Sequence, residues 1–142
     1  MYVLDTDVLS LLEEPDRTLA RRLQSRLDAL PDDETVFTTI ISYEEQTRGW
    51  FALLAKAKSV AAEIHAYLRL RRHLENYRHV ELLDFDDTAA VHFQRLKSLR
   101  LRVGTMDLKI GAIVLSHEAT LVTRNISDFR RIPSLKLEDW TQ

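Results

Sequence analysis

The chain has 142 residues, of which 45% are hydrophobic and 30% are charged, and its formal net charge is −2. This composition is typical of a globular domain and excludes a disordered chain. Cysteine is absent, which excludes disulfides and thiolate metal sites, and no apolar run approaches the ~20 residues that a membrane helix needs. We therefore expect a cytoplasmic protein without a membrane segment, folded as one domain over residues 1–142.

The first half of the chain predicts strands separated by helices. Residues 1–4 are a short apolar run that predicts a buried strand, and residues 8–12 predict a first helical turn. Residues 36–41 are β-branched and aromatic and predict a second strand. Residues 42–77 lack proline and predict two helices with a break near residues 58–59. A helix over residues 16–30 is predicted by leucines at helical spacing: Leu19, Leu23, Leu27 and Leu30.

The second half continues this alternation. Residues 80–83 predict a brief strand and residues 84–100 a helix, which Asp86 or Asp87 would cap. Gly104 breaks the chain, and a helix is expected from Thr105 or Met106 to His117. Strands are expected at residues 120–123 and 135–137. Strands that alternate with helices predict an α/β fold with a mostly parallel sheet covered by helices on both faces.

Two aspartates occupy positions that suggest a function. Asp5 ends the first apolar run, and ligands of open α/β sheets bind beyond the carboxyl ends of the strands. A helix N-cap would explain Asp5 equally well. Asp107 opens a helix on the face that continues through Ile110, Gly111 and Val114, which are apolar or small. The helix dipole favours an acid there, but that explains an exposed aspartate better than one on the buried face.

A glutamate in the third predicted helix is a further candidate. Glu45 shares a helix face with Ile41, Gly49 and Ala52, so its carboxylate can point inward. Gly49 would let another element approach that face closely. Glu44 remains an alternative, because successive helical residues diverge by about 100° and only one of the two can face a given site. Face composition favours Glu45.

The chemistry of a convergent acidic set points to a hard metal ion. Asp128 lies in a loop after the strand at residues 120–123, where an ordinary polar turn would explain it by itself. Two carboxylates about 5 Å apart repel by about 3 kcal/mol at an effective dielectric near 20, so four of them need protons or a cation. Oxygen ligands without cysteine favour Mg²⁺ or Mn²⁺. Such a site indicates phosphoryl transfer or phosphodiester hydrolysis.

Four short motifs in this chain resemble those of PIN-domain ribonucleases, in particular the toxins of VapBC-type toxin–antitoxin pairs. The motifs are Leu4-Asp5-Thr6, residues 42–49, residues 107–112 and residues 121–129, and residues 135–140 resemble the end of the family's chains. The resemblance spans nearly the whole chain. It implies a three-layer α/β/α sandwich around a parallel sheet.

The resemblance also implies a site and a reaction, namely the hydrolysis of RNA phosphodiester bonds assisted by Mg²⁺ (or Mn²⁺). Its catalytic and metal-binding set maps onto Asp5, Glu45, Asp107 and Asp128. Thr6, Thr123 and Asn125 would line the same crevice. Asp7 stands where the family usually has asparagine, and it would be a fifth acid or only a cap. Phosphates also need cations, and the best placed are Lys109, Arg124, Arg130 and Arg131.

Partners follow from the resemblance alone. Toxins of this family are usually neutralised by a cognate antitoxin protein and are commonly homodimers. A helical arm around residues 53–79 is long for a small toxin, and its role is left open.

Two alternatives compete with the ribonuclease interpretation. Asp5-Thr6-Asp7-Val8 also resembles the first motif of haloacid-dehalogenase-like phosphatases, with Asp5 as nucleophile, Asp7 as general acid and Thr123 as a second motif. The later lysine and acidic pair of those enzymes have no good counterpart here. The second alternative is a catalytically silent PIN-like binding scaffold, against which the presence of all four acids argues.

Overall fold

A five-stranded sheet lies at the centre of the protein. The computed structural model describes residues 1–14 and 17–142. The strands are β1 (Tyr2–Leu4), β2 (Val36–Thr39), β3 (Leu82–Leu83), β4 (Thr120–Val122) and β5 (Lys136–Glu138). Their spatial order is β3-β2-β1-β4-β5, and each neighbouring pair is parallel. The predicted α/β fold with a parallel sheet is confirmed.

Helices connect the strands and cover both faces of the sheet. They are α1 (Thr6–Leu12), α2 (Thr18–Asp28), α3 (Ile40–Ala55), α4 (Val60–Tyr77), α5 (Asp87–Ser98), α6 (Thr105–Ser116) and α7 (Ile126–Phe129). None of these described helices is long and apolar enough to cross a membrane. Two layers of helices enclose the sheet, as predicted for a three-layer α/β/α sandwich.

The alternation of side chains along each strand builds two separate cores. Val3 and Leu121 are buried in the core that α3, α5 and α6 form on one face of the sheet. Leu4 and Val122, one residue further along each strand, are buried with α1 and α2 on the opposite face. Successive strand residues point to opposite faces, so short apolar runs supply both cores at once. This explains why the last two residues of β1 and of β4 are both apolar.

Side-chain caps set several helix starts. Thr39 accepts a hydrogen bond from the Ser42 amide, and Ser59 accepts one from the Ala62 amide. Asp86 caps α5 by accepting from the Ala89 amide, which confirms one of the two predicted caps. Such caps satisfy amides that have no partner within the helix.

Several predicted boundaries are wrong by one to three residues. Residues 40 and 41 begin α3 instead of ending β2, because the Thr39 cap starts the helix inside a β-branched run. The helix α1 begins at Thr6, two residues before the predicted turn. The stretch around Asp128 contains the four-residue helix α7, where a loop was predicted. The predicted start of the second helix at Asp16 falls outside the described residues.

The predicted helical arm consists of the end of α3 together with α4. These two helices run antiparallel, since Thr47 Oγ1 lies 2.7 Å from His73 Nε2 while the Tyr43 ring contacts Tyr77 further along, at a centroid distance of 4.9 Å. The rings of Tyr43 and His73 also stack, with centroids 5.4 Å apart. The aromatic contacts hold α4 against the half of α3 that carries Glu45.

Candidate active site

The candidate site lies at the carboxyl edge of the sheet, where β1 and β4 are neighbours. Asp5 directly follows β1, and Thr123 directly follows β4. Both side chains are buried, with Asp5 only 5% exposed. Parallel strands end at the same edge, so two residues that are 118 positions apart in sequence meet there.

Two hydrogen bonds fix the Asp5 carboxylate. The Thr6 amide donates to Oδ1 at 2.8 Å, and the Thr123 hydroxyl donates to Oδ2 at 2.8 Å. Burial nevertheless raises the pKa of Asp5 to about 6, and the negative charges of Asp107 and Glu45 add to that rise. Asp5 therefore is the N-cap of α1, which was the other explanation offered for it. It also places at the sheet edge a carboxylate whose ionisation is unfavourable.

Glu45 is the glutamate of α3 that faces Asp5. The Thr6 hydroxyl donates to Glu45 Oε1 at 2.8 Å and also lies 2.9 Å from the buried Ser42 hydroxyl. Glu44 instead forms an ion pair with Arg48, one turn further along α3, at 2.6 Å. The preference for Glu45 from its helix face agrees with this geometry.

Asp107 and Asp128 extend the acidic region away from Asp5. Asp107 lies in the first turn of α6, and its pKa is raised by burial, then by the charges of Glu45 and Asp128. Asp128 lies in α7 and accepts a hydrogen bond from Asn125 Nδ2 at 3.1 Å. Arg131 approaches the Asp128 carboxylate at 3.7 Å. The Asp107 carboxylate is thus close enough to Asp5, Glu45 and Asp128 to interact with the charge of each.

The four carboxylates are neighbours but do not form a closed cage. Within residues 1–14 and 17–142, no three acidic or histidine side chains stand close enough together to hold a metal ion as they are. Mg²⁺ in proteins is usually held by one or two carboxylates, with water and substrate phosphates completing its shell. The donor set consists of oxygens, and the pKa values of Asp5 and Asp107 are raised first by burial and then by the neighbouring negative charges. These residues fit a hard divalent cation.

Asp7 points away from this acidic region. Its carboxylate accepts from Arg124 Nε at 2.7 Å and from a second guanidinium nitrogen of the same residue. The Asp7 side chain is 44% exposed, and its charge is not among those that shift the pKa of Asp5. Asp7 is therefore a partner for Arg124, which joins the first turn of α1 to the segment after β4.

The four cations that were predicted to bind phosphate have different surroundings. Arg124 is paired with Asp7, and Arg131 donates to the Arg102 carbonyl at 2.7 Å as well as approaching Asp128. Lys109 lies about 5.8 Å from the Phe85 ring centroid, next to α6's first turn. Arg130 is exposed.

Sequence reasoning missed a polar layer beneath Glu45. Gln46 is buried, and its amide contacts the Ser10 hydroxyl at 3.0 Å and accepts from the Tyr77 hydroxyl at 2.6 Å. Ser42 and Thr39 are fully buried beside it. The sequence did contain a signal for this layer. Ser42 and Gln46 are one helical turn apart, next to the apolar Ile41, and buried polar residues need hydrogen-bond partners.

Comparison with known proteins defines the class. The PIN domain family matches residues 2–135. The chain belongs to the PIN-domain family, which its sheet order and acidic edge already suggested.

Full-length relatives narrow the class to one branch. Ribonuclease VapC1 of Haemophilus influenzae is 29% identical over all of this chain and 99% of its own length, and ribonuclease VapC2 of Rickettsia felis is 27% identical over 99% and 98%. The solved VapBC2 structure from Rickettsia felis has a TM-score of 0.75 at 25% identity, covering 98% of both chains. VapBC-1 from nontypeable Haemophilus influenzae shares the fold with a TM-score of 0.77 at 24% identity, covering 99% of this chain and 98% of that chain. The protein is thus a VapC-type toxin and a nuclease.

Proposed function

We propose that this chain is a Mg²⁺-dependent endoribonuclease (Mn²⁺ being an alternative ion) and acts as the toxin of a type II toxin–antitoxin pair. The observation that carries the metal part of the proposal is the buried Asp5, held by Thr6 and Thr123 beside Glu45 and Asp107. A buried carboxylate near two others is unfavourable unless a cation offsets the charge. Cytoplasmic RNA would be the substrate.

Asp5, Glu45, Asp107 and Asp128 would hold the ion directly or through water. When bound, it would activate a water molecule and stabilise the charge that develops on the scissile phosphate. The Thr123 and Thr6 hydrogen bonds keep the Asp5 oxygens oriented toward the site. The Thr6 hydroxyl does the same for Glu45 Oε1, so Thr6 positions both carboxylates.

A pair of neighbouring glutamates provides a matched test of this assignment. We expect Glu45→Gln to lower the rate of RNA cleavage by more than about 100-fold, because it removes a charged metal donor. Glu44→Gln removes the same charge one residue away, from an ion pair at the surface, and should keep most of the activity. Cleavage of total tRNA would be followed on denaturing gels with millimolar Mg²⁺ and with EDTA. Equal activity of the two variants would refute the assignment of Glu45.

Transfer RNA is a reasonable first substrate. A relative from Salmonella typhimurium, named as a tRNA(fMet)-specific endonuclease, is 35% identical over 43% of this chain. Full activity in EDTA would overturn the metal proposal, whereas absence of any RNA cleavage by the unmodified protein would overturn the ribonuclease proposal.

An antitoxin partner is proposed on the basis of the structural neighbours. One neighbouring structure is VapBC2 from Rickettsia felis, bound to a DNA fragment from its promoter. The structure from nontypeable Haemophilus influenzae is likewise that of a VapBC protein, VapBC-1. We expect a small protein encoded beside this chain to co-purify with it and to suppress its RNA cleavage. If the neighbouring reading frame encodes no such protein, the pairing is refuted.

We propose that each chain folds as one domain over residues 1–142 and that two chains form a homodimer. The helical arm around residues 53–79 would offer the apolar surface for this dimer. Exposed apolar side chains on α3 and α4 support this surface: Phe51, Val60, Ile64, Tyr67, Leu68 and Leu74. Light scattering of the purified protein would give the mass directly. A monomer at micromolar concentration would contradict the dimer.

A further inference from the structure

Two glycines lie inside helices, and only one of them is explained by packing. A Cβ at Gly111 would lie 2.6 Å from Ile132 Cδ1, so a larger residue there would force the end of the Ile132 side chain to shift. A Cβ at Gly49 would meet nothing within 4 Å. Glycine in a helix interior is destabilising relative to alanine. The predicted close approach of another element at Gly49 is therefore wrong, and the glycine leaves open space.

That open space belongs to a cleft beside the candidate active site. Gly49 follows Glu45 by one helical turn on α3, and the cleft between α3 and α1 has a volume of about 420 Å³. Its lining residues are Thr6, Ser10, Glu45, Gln46, Gly49 and Trp50. The cleft thus shares Thr6 and Glu45 with the carboxylate region and continues outward from it.

Part of the cleft wall is a polar network that is held in place. Gln46 uses its amide nitrogen on the Ser10 hydroxyl and its amide oxygen on the Tyr77 hydroxyl. The Ser10 hydroxyl in turn donates to the Thr6 carbonyl at 2.9 Å. These bonds join α1, α3 and α4, so the cleft keeps its shape without a ligand. A preformed site binds with a smaller loss of conformational freedom.

An aromatic ring and a cation flank the outer end of the cleft. The Arg69 guanidinium lies 4.6 Å from the centroid of the Trp50 ring. Burial raises the pKa of the Glu13 carboxyl, and the positive charges of Arg69 and Arg72 oppose that rise, so both arginines lie near the end of α1. A positive charge beside an aromatic ring is a common combination in sites for single-stranded nucleic acid.

We propose that the cleft over Gly49 binds the base of the RNA nucleotide next to the scissile phosphate. This inference rests on the proposed ribonuclease function. A phosphate at the carboxylates places its neighbouring nucleotide in the adjoining cleft, and Gly49 leaves the room that a flat base requires. Bases of single-stranded RNA can be splayed out and held by side chains in this manner. The cleft therefore selects unpaired RNA at the cut site, and Arg69 contributes a contact to the next phosphate.

Filling the cleft tests the proposal. Gly49→Leu would occupy the space, while Ser25→Leu adds the same side chain at an exposed position of α2, outside the cleft and the helical arm. With a 12-nucleotide single-stranded RNA that the unmodified protein cleaves, we expect KM to rise about 5- to 150-fold in Gly49→Leu, because the contacts of one base are worth about 1–3 kcal/mol. The Mg²⁺ concentration for half-maximal rate should stay unchanged. Ser25→Leu should match the unmodified protein.

A smaller substitution guards against misfolding. Gly49→Ala adds only the Cβ, so its melting temperature should equal or exceed that of the unmodified protein, and its KM should lie between those of glycine and leucine. An unchanged KM in Gly49→Leu, with an unchanged melting temperature, overturns the base-binding proposal.

Removing the base from the substrate gives an independent readout. An RNA with an abasic nucleotide next to the cut should lose as much affinity for the unmodified protein as Gly49→Leu loses for intact RNA. The two changes should not add when they are combined, because they remove the same contact. Full additivity refutes the proposal. Fluorescence anisotropy in Ca²⁺ measures the binding without cleavage, so a protein that binds RNA through this cleft but cannot cut it would contradict the proposed function alone.

Discussion

Asp5 is the residue where stability and function conflict most directly. Its carboxylate is buried, and its pKa is raised from 3.8 to about 6 despite two hydrogen bonds. Between these two values the folded protein binds a proton that the unfolded chain has released. The stability that protonated Asp5 provides is therefore present below about pH 4 and is lost as the pH rises through about 6.

Replacing Asp5 with asparagine should stabilise the metal-free protein while removing its activity. At pH 7.5 the ionised carboxylate costs about 3 kcal/mol by its pKa, so we expect Asp5→Asn to raise the unfolding free energy by about 1–3 kcal/mol in EDTA. At pH 4 the difference should shrink, because Asp5 is then protonated. Urea unfolding followed by circular dichroism at both pH values measures this. A variant that is less stable at pH 7.5 would show that the Thr6 and Thr123 hydrogen bonds outweigh the burial cost.

Asp7 should be dispensable for catalysis. It pairs with Arg124 at the surface, and surface ion pairs contribute about 0–1 kcal/mol. We expect Asp7→Asn to keep RNA cleavage within about threefold and to lower stability by less than about 1 kcal/mol. Initial rates on tRNA would be compared with those of the unmodified protein. A loss as large as that caused by Asp5→Asn would instead make Asp7 a fifth acid of the active site.

The orientation of individual side chains was predictable where the local sequence pattern decides it. Glu45 could be preferred over Glu44 because helix geometry gives the two residues different faces, and the structure places Glu44 on Arg48. The pairing of Asp7 with Arg124 could not be predicted, since 117 positions separate them and only the parallel neighbours β1 and β4 bring them together.

At the scale of elements, α3 links the sheet to the site. It begins inside the apolar run that continues from β2, and the Thr39 cap marks the change from strand to helix. A β-branched run is compatible with either structure, so the sequence pattern extended the strand to residue 41. The break before α4 was predictable because Ser59 follows a short polar stretch and caps the next helix.

The packing of α6 against the end of the chain depends on Gly111. We expect Gly111→Ala to destabilise the protein by about 1–2 kcal/mol. The new Cβ would overlap the buried Ile132 side chain, and relieving that overlap should cost more free energy than the gain in helix propensity returns. Gly49→Ala is the matched control, since Gly49 also lies inside a helix and a Cβ there meets nothing within 4 Å. Thermal unfolding of both variants would be compared. A Gly111→Ala protein as stable as the control would mean that the Ile132 side chain moves aside freely.

At the scale of the whole molecule, the sequence predicted the class of fold but not the order of the strands. Alternating strands and helices required a parallel sheet, and the acids at strand ends required a functional edge. Nothing local placed β1 at the centre between β2 and β4, because that order follows from how the two helical layers pack on opposite faces.

Metal binding should stabilise the folded molecule as a whole. At a Mg²⁺ concentration about ten times its dissociation constant, the unfolding free energy should rise by about 1.4 kcal/mol, because only the folded chain brings Asp5, Glu45 and Asp107 together. Thermal shift with increasing Mg²⁺ measures this, and the Asp5→Asn protein should respond less. If Mg²⁺ stabilised both proteins equally, it would be acting elsewhere on the surface.

The hydrogen bond between Thr123 and Asp5 also determines when during synthesis a new toxin molecule can become active. The partner of Asp5 is synthesised 118 residues after Asp5 itself. At about 5–20 residues per second, that interval lasts about 6 to 24 seconds. During it β1 lacks its neighbour β4, so the emerging polypeptide has no assembled carboxylate edge. The translation machinery is thus exposed to a competent molecule only after the segment that follows β4 has been synthesised.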